Sequence, residues 1–289
     1  LRIFYGGPDG LNPERYVDLP HSGHGFHYIL AADLNKDGWL DLVGVAMTHD
    51  ADPESLATSS VIFYGSPVGF SLDNAQPLST SARGNAMLAD VNRDGWLDII
   101  CPDTRGYLGI FLGGPSGYST DRMWKIPLPG IDVLFVPAVT CADLNEDGWL
   151  DIIVSFMGHY TRAPSGFFLL YGGPDGYTAD RMEFHPTNAS SILISAADLN
   201  NNGHLDLLVP AYSTQFTREL PAHIYWGDGK TFDFDNPLAI PCDSSCAFMA
   251  VDITGNGYKD LLAVCHRTDF GHQVDSLLFW NGPDGLDFE

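Results

Sequence analysis

The sequence repeats itself, and that limits the possible folds more than any other property of the chain. Asp33-Leu-Asn-Lys-Asp-Gly-Trp-Leu-Asp41 returns as Asp90-Val-Asn-Arg-Asp-Gly-Trp-Leu-Asp98 and as Asp143-Leu-Asn-Glu-Asp-Gly-Trp-Leu-Asp151. Looser copies are Asp198-Leu-Asn-Asn-Asn-Gly-His-Leu-Asp206 and Asp252-Ile-Thr-Gly-Asn-Gly-Tyr-Lys-Asp260. A second marker alternates with these acidic loops. It reads Tyr5-Gly-Gly-Pro-Asp-Gly10, Tyr64-Gly-Ser-Pro, Leu112-Gly-Gly-Pro, Tyr171-Gly-Gly-Pro-Asp-Gly176, Trp226-Gly-Asp-Gly229 and Trp280-Asn-Gly-Pro-Asp-Gly285. Five copies of one marker and six of the other fill the chain of 289 residues.

Each period predicts four short strands. The first precedes the acidic loop, as in 26–32 or 191–197, and the second follows it, as in 40–45 or 151–154. The third is an apolar run ending in the Gly-Gly-Pro turn, as in 60–64 or 166–171. The fourth is shorter and more polar, as in 16–19 or 124–127, which suits a sheet edge that must discourage pairing. β-Branched and aromatic residues in short runs, punctuated by Gly and Pro, favour strand over helix. Four strands in roughly 55 residues, repeated, predict an all-β chain, a β-propeller of four-stranded antiparallel blades. Five to six blades are visible, in a single domain spanning 1–289. The element count leaves a lone third-and-fourth strand pair at 1–19 and a final unit ending after its third strand. Further chain or a partner subunit is therefore expected to complete a larger ring.

The acidic loop reads as a calcium site. Calcium takes six to eight hard oxygens, and a tight loop supplies them from alternate residues. In the first copy Asp33, Asn35 and Asp37 present side-chain oxygens, Trp39 its main-chain carbonyl and Asp41 a carboxylate. The pattern shares the front half of an EF-hand loop, but the bidentate Glu at position twelve is replaced by Gly44, Cys101, Val154, Val209 or Ala263. Asp-Gly and Asn-Gly loops also make ordinary hairpin turns. Against that, clustered carboxylates without a cation repel one another. The loops at 33–41, 90–98 and 143–151 hold three carboxylates each and are expected to bind most strongly. In those at 198–206 and 252–260 Asn202 or Asn256 replaces the middle Asp, and Thr254 weakens the last further.

These loops, alternating with the Gly-Gly-Pro turns, resemble the FG-GAP/VCBS repeats of integrin-α-like propellers and of many secreted bacterial proteins. The resemblance implies a propeller, usually of six to eight blades, with Ca2+ in the loop joining strands one and two. Carried onto the matching positions, it implies up to five sites. Asp90, Asn92, Asp94, Trp96 and Asp98 would form the second, and Asp143, Asn145, Asp147, Trp149 and Asp151 the third. Asp198, Asn200, Asn202, His204 and Asp206 would form the fourth, and Asp252, Thr254, Asn256, Tyr258 and Asp260 the fifth. The family fixes fold better than function, since its members include adhesion receptors, lectins and polysaccharide lyases.

Composition removes several classes. With 14 Lys+Arg against 37 Asp+Glu the net charge is −23, which argues against a nucleic-acid partner. No apolar run approaches the ~20 residues of a transmembrane helix. The start at Leu1 shows no signal-peptide pattern, so a leader is expected to have been cleaved or to lie outside this sequence. There is no Gly-x-Ser-x-Gly elbow and no recognisable catalytic Cys motif. Trp39, Trp96 and Trp149 recur at one loop position and read as a structural ring covering the sites. His21, His24, His27, His49, His159 and His266 are expected on the face opposite the acidic loops, as a metal or ligand site or as plain polar loop residues. Cys242 and Cys246 flank a short turn and could bridge, whereas Cys101, Cys141 and Cys265 fall in apolar strands and read as buried thiols.

The resulting expectation is a calcium-stabilised, non-catalytic recognition or assembly module, extracellular, periplasmic or on the cell surface. Its ligand would be a protein or a carbohydrate on the face opposite the calcium loops. The alternatives are a polysaccharide lyase or hydrolase on the same scaffold, and a scaffold subunit of a larger complex. An anionic polysaccharide substrate would need a local basic patch to offset the acidity of the whole.

Overall fold

A computed structural model describes residues 1–19, 25–46, 60–80, 84–103, 105–130, 138–156 and 165–288. The chain divides into two compact units, Leu1–Val133 and Leu134–Glu289. Among the described residues the regular structure is all strand apart from short 3-10 turns such as Thr120–Arg122.

The first unit opens with a two-stranded sheet of β1 (Arg2–Gly7) and β2 (Gly10–Asp18). A four-stranded antiparallel sheet follows, from β3 (Phe26–Ala32), β4 (Asp41–Ala46), β5 (Ser60–Phe63) and β6 (Ala75–Leu78). The next comprises β7 (Met87–Ala89), β8 (Asp98–Asp103), β9 (Tyr107–Phe111) and β10 (Met123–Pro127). In the second unit come β11 (Ala138–Ala142), β12 (Asp151–Phe156), β13 (Gly166–Leu170) and β14 (Met182–Pro186), then β15 (Ser195–Ala197), β16 (Asp206–Val209), β17 (Ala222–Tyr225) and β18 (Leu238–Ile240). A three-stranded sheet of β19 (Ser245–Val251), β20 (Asp260–Cys265) and β21 (Leu277–Phe279) precedes a small hairpin of β22 (Asn281–Gly282) and β23 (Gly285–Leu286). Every pairing within these sheets joins consecutive strands. The expected four-strand units, the lone initial pair and the three-stranded last unit are all present.

The second and third strands carry the core because both of their faces meet other sheets. All six residues of β8 and of β12 are buried, as are all five of β13. Such strands read as continuous apolar runs rather than as alternation. In the first unit Val43, Val45 and Ile62 pack with Ile99, Cys101 and Phe111 of the next sheet. In the second, Ile153, Phe167 and Leu169 meet Leu207 and Val209, while Leu208, Ile224 and Ile240 meet Phe248 and Leu261. Each such side chain contributes about 1.5–3 kcal/mol on full burial. The fourth strands stay more polar and exposed, as in β14, where Glu183 and Phe184 face solvent.

One strand is shorter than its sequence predicts. Of 191–197 only Ser195–Ala197 pairs in β15. The carbonyls of Ile192 and Ile194 instead accept from the hydroxyls of Ser155 and Thr140, and the N–H of Leu193 donates to Cys246 O at 3.0 Å. The segment bonds to its neighbours before it joins its own sheet.

Candidate functional site

The acidic loops are the β3–β4, β7–β8, β11–β12, β15–β16 and β19–β20 hairpin connections, each closed by its own hydrogen bonds. In the first, the Asp37 N–H donates to both Asp33 Oδ1 and Asn35 Oδ1, at 3.1 and 3.0 Å. Sharing one donor draws the oxygens of positions one and three together. Asp33 Oδ2 accepts from Gly38 N, and Asp37 Oδ1 from Trp39 N at 2.8 Å. The same bonds recur around Asp94 and Asp147.

Folding the loop this tightly needs two left-handed residues. Gly38, Gly95, Gly148, Gly203 and Gly257 have φ between 86° and 90°. Position four is left-handed as well, at Lys36, Arg93, Glu146 and Asn201 with φ of 57–61°, and at Gly255 with φ 72°. A non-glycine residue held there costs about 1–2 kcal/mol, repeated in four of the five loops. The constrained side chain then reaches the next loop. Lys36 Nζ sits 4.2 Å from the centre of the Trp96 ring, Glu146 Oε1 lies 2.6 Å from His204 Nδ1, and Asn201 Nδ2 donates to Gly257 O at 2.8 Å. The hydrogen bond to Glu146 raises the His204 pKa. Position seven thus receives a side chain from the preceding loop at Trp96 and His204, and Trp39 is 46% exposed.

The aspartate at position nine has a task that the sequence reading did not foresee. Asp41, Asp98, Asp151, Asp206 and Asp260 are all fully buried. One oxygen of each accepts from the N–H of loop position two, from Leu34, Val91, Leu144, Leu199 and Ile253 at 2.8–3.0 Å. The other accepts from the first residue of the turn after strand three, from Gly65, Gly113, Gly172, Gly227 and Asn281 at 2.8–2.9 Å. This bond ties the two sequence markers together. It also explains the glycine: a Cβ on Gly65, Gly113, Gly172 or Gly227 would stand 2.0–2.3 Å from the carbonyl oxygen of loop position eight. Burial outweighs the two N–H donors, so the Asp98 and Asp151 carboxyls are pushed up to about 6, with charges at Asp90, Asp94, Asp143 and Asp147 adding to the shift.

Among the described residues no three His, Cys, Asp or Glu side chains gather closely enough to cage a metal by themselves. The donor set of the loop is mixed: carboxylates at one, five and nine, an amide oxygen at three and a carbonyl at seven. All are oxygens, and each carboxylate keeps lone pairs beyond those its N–H donors use. That chemistry fits a hard divalent cation. The fourth and fifth loops differ as their sequences imply. Asn202 Nδ2 donates to Gly227 O and Asn256 Nδ2 to Asn281 O, bonds that an aspartate could not make.

At the ends of the second-unit strands remote from Asp206 lies a cavity of about 450 Å3. It is lined in part by Asn188, Ser191, His223, Tyr225, Phe234 and Asp235. Phe234 stacks on His185 at 4.0 Å and tilts against Tyr225 at 5.1 Å. Of the histidines expected on that side, His21, His24, His49 and His159 lie outside the described residues. His27 is exposed on β3, and His266 bonds through Nδ1 to the Tyr212 hydroxyl at 3.0 Å. His272, whose ring lies 5.4 Å from that of His266, carried no sequence signal.

All five cysteines are free, Cys242 and Cys246 included. Burial pushes the thiols of Cys101 and Cys141 up to about 12. Because only the thiolate is a nucleophile, iodoacetamide is expected to leave both unmodified in the folded protein and to label them after denaturation. Peptide mass mapping that finds either labelled without denaturant would contradict the packing described.

Residues 78–154 match a family model described as FG-GAP-like repeat. Human integrin alpha-6 is 29% identical over 157 residues, covering 50% of this chain and 14% of the integrin. A lectin of Agrocybe aegerita, solved for its recognition of non-reducing terminal N-acetylglucosamine, matches with a TM-score of 0.52 at 17% identity. That match covers 91% of this chain and 65% of the lectin, and at such identity it bears on the fold alone. The chain therefore spans less than two thirds of either relative. Among the described residues no helix is long and apolar enough to cross a membrane.

Proposed function

Because the chain is a β-propeller of FG-GAP-like repeats, we propose that it is a calcium-stabilised recognition module, non-catalytic, working outside the cytoplasm or at the cell surface. The observation that carries this reading is the five-fold recurrence of one tightly folded loop whose donor positions all offer oxygens. Left-handed residues also occur in ordinary hairpin turns, so the weight rests on the oxygens that recur at positions one, three, five, seven and nine. Calcium held by Asp33, Asn35, Asp37, the Trp39 carbonyl and Asp41, and by their counterparts, would offset the repulsion among the loop carboxylates. The metal supplies positive charge and a rigid centre, while the loop residues bind it and lock the hairpin.

Recognition belongs on the opposite side. The cavity between the strand ends has the size of a small-molecule site and combines aromatic walls with a few polar groups. A carbohydrate suits it, as does a protein loop. The partial match to integrin alpha-6 is in keeping with that class of role. Glycan and protein arrays probed in millimolar calcium test it. Retention of a ligand without product release is expected, whereas turnover of a bound polysaccharide would favour the enzyme alternative.

A further inference from the structure

The turn after strand three begins with Gly65, Gly113, Gly172 or Gly227 in four repeats and with Asn281 in the fifth. Asn281 is buried, and its amide is fully engaged. Nδ2 donates to the carbonyls of Leu199 at 2.8 Å and Lys259 at 2.9 Å, while Oδ1 accepts from Gly282 N at 3.0 Å. Leu199 is position two of the fourth loop and Lys259 is position eight of the fifth. In the other repeats the carbonyl of position eight leaves no room for a Cβ. Asn281 instead bonds to that carbonyl and reaches across to the neighbouring loop. The four glycines have no side chain with which to do the same.

The main chain of Asn281 serves the fifth loop as well. Its N–H donates to Asp260 Oδ1 at 2.9 Å, and its carbonyl accepts from Asn256 Nδ2 at 2.8 Å. In the fourth loop the Leu199 N–H donates to Asp206 Oδ2 at 2.9 Å. A short chain of hydrogen bonds therefore joins the two buried carboxylates of position nine, from Asp260 through Asn281 and Leu199 to Asp206. Two further bonds tie the same loops nearer the surface. Asn201 Nδ2 donates to Gly257 O at 2.8 Å, and Lys259 Nζ to Asp198 O at 3.1 Å. The first and second loops, and the third and fourth, meet through side chains that stay partly exposed, Lys36 with Trp96 and Glu146 with His204.

The fourth and fifth loops hold two carboxylates each, against three in the others, so each alone is a weaker host for a cation. Binding a cation fixes the backbone of its loop. Bonds that form between two ordered loops pass part of that restraint to the neighbour, which then has less freedom to lose. Such coupling acts equally in both directions. We propose that loops 198–206 and 252–260 take up calcium as a cooperative pair, coupled through Asn281 with help from Asn201 and Lys259. The proposal rests on the calcium reading of the loops and concerns how two of the sites fill.

Calcium titration of the full chain, followed by nitrogen-15 NMR at the amides of Gly203 and Gly257, reads the two loops separately. Both amides are expected to respond over the same calcium range, with a Hill coefficient above one. Asp252→Asn cripples the fifth loop and should raise the calcium midpoint seen at Gly203 by at least about fivefold, the lower end of ordinary coupling between sites. Asn281→Gly installs the residue of the other four repeats and keeps the main-chain groups bonded to Asp260 and Asn256. In that background the effect of Asp252→Asn on Gly203 should shrink. If Asn281→Gly does not fold, Lys259→Met, which removes the bond to the Asp198 carbonyl, should shrink it in the same way. A Gly203 midpoint indifferent to Asp252→Asn, or an effect that neither second variant diminishes, would overturn the proposal. So would a response at Gly38, Gly95 and Gly148 with none at Gly203 and Gly257, which leaves the calcium reading standing. Silence at all five glycines would remove calcium from the loops, and the pair with it.

Discussion

Excess chelator is expected to lower the melting temperature steeply, because a cation bound only by the folded loop contributes RT ln(1+[Ca]/Kd) to stability. That amounts to about 2.7 kcal/mol for each site at a hundredfold excess over Kd. Three strong loops together would supply a large share of the ~5–15 kcal/mol net stability of an ordinary domain. Substitutions should follow the donor count. Asp37→Ala and Asp94→Ala remove an exposed carboxylate from loops that hold three, and should cost more calcium affinity than Asn256→Ala. The fifth loop has two carboxylates and Thr254, and the Asn256 amide is already bonded to the Asn281 carbonyl. Differential scanning calorimetry with and without chelator reads both effects. A melting curve that chelator leaves unchanged would take calcium out of the account.

The repeat made the strands legible because its period is the period of the sheet, and burial then follows from the order of strands in each unit. The oxygen donors were legible for the same reason, since they recur at fixed offsets. What escaped was whatever is constant in geometry but variable in chemistry. Position four holds Lys36, Arg93, Glu146, Asn201 and Gly255, which share no side-chain property, yet all five backbones are left-handed. The anchoring of position nine escaped because its partner glycine lies 24, 15 or 21 residues away, across a strand and a loop of variable length. Only the joint recurrence of the two markers hinted at it.

The anchoring role predicts a substitution effect that calcium cannot explain. Asp151→Ala, like Asp98→Ala, would strip the partner from two main-chain donors held in the interior, Leu144 and Gly172 for the first, Val91 and Gly113 for the second. Leaving a buried donor unsatisfied costs about 1–3 kcal/mol, so either change should cost about 2–6 kcal/mol. Part of that is returned because a desolvated carboxylate disappears, the same burial that pushes Asp98 and Asp151 up to about 6. Asp→Asn should fall between wild type and Ala, since the amide keeps one acceptor but turns a second donor toward an N–H. The contrast with position five separates anchor from ligand. Asp147 Oδ1 accepts from the exposed N–H of Trp149, which water can satisfy when the carboxylate is gone. In calcium Asp147→Ala should be destabilising, and in excess chelator its difference from wild type should shrink toward zero. The deficit of Asp151→Ala should lose only the metal's share in chelator and keep the anchoring cost of about 2–6 kcal/mol. Urea denaturation of both variants under the two conditions decides the matter. Equal costs in calcium and equal silence in chelator would mean that the ninth aspartate serves the metal alone, and that the glycine turn is held by something else.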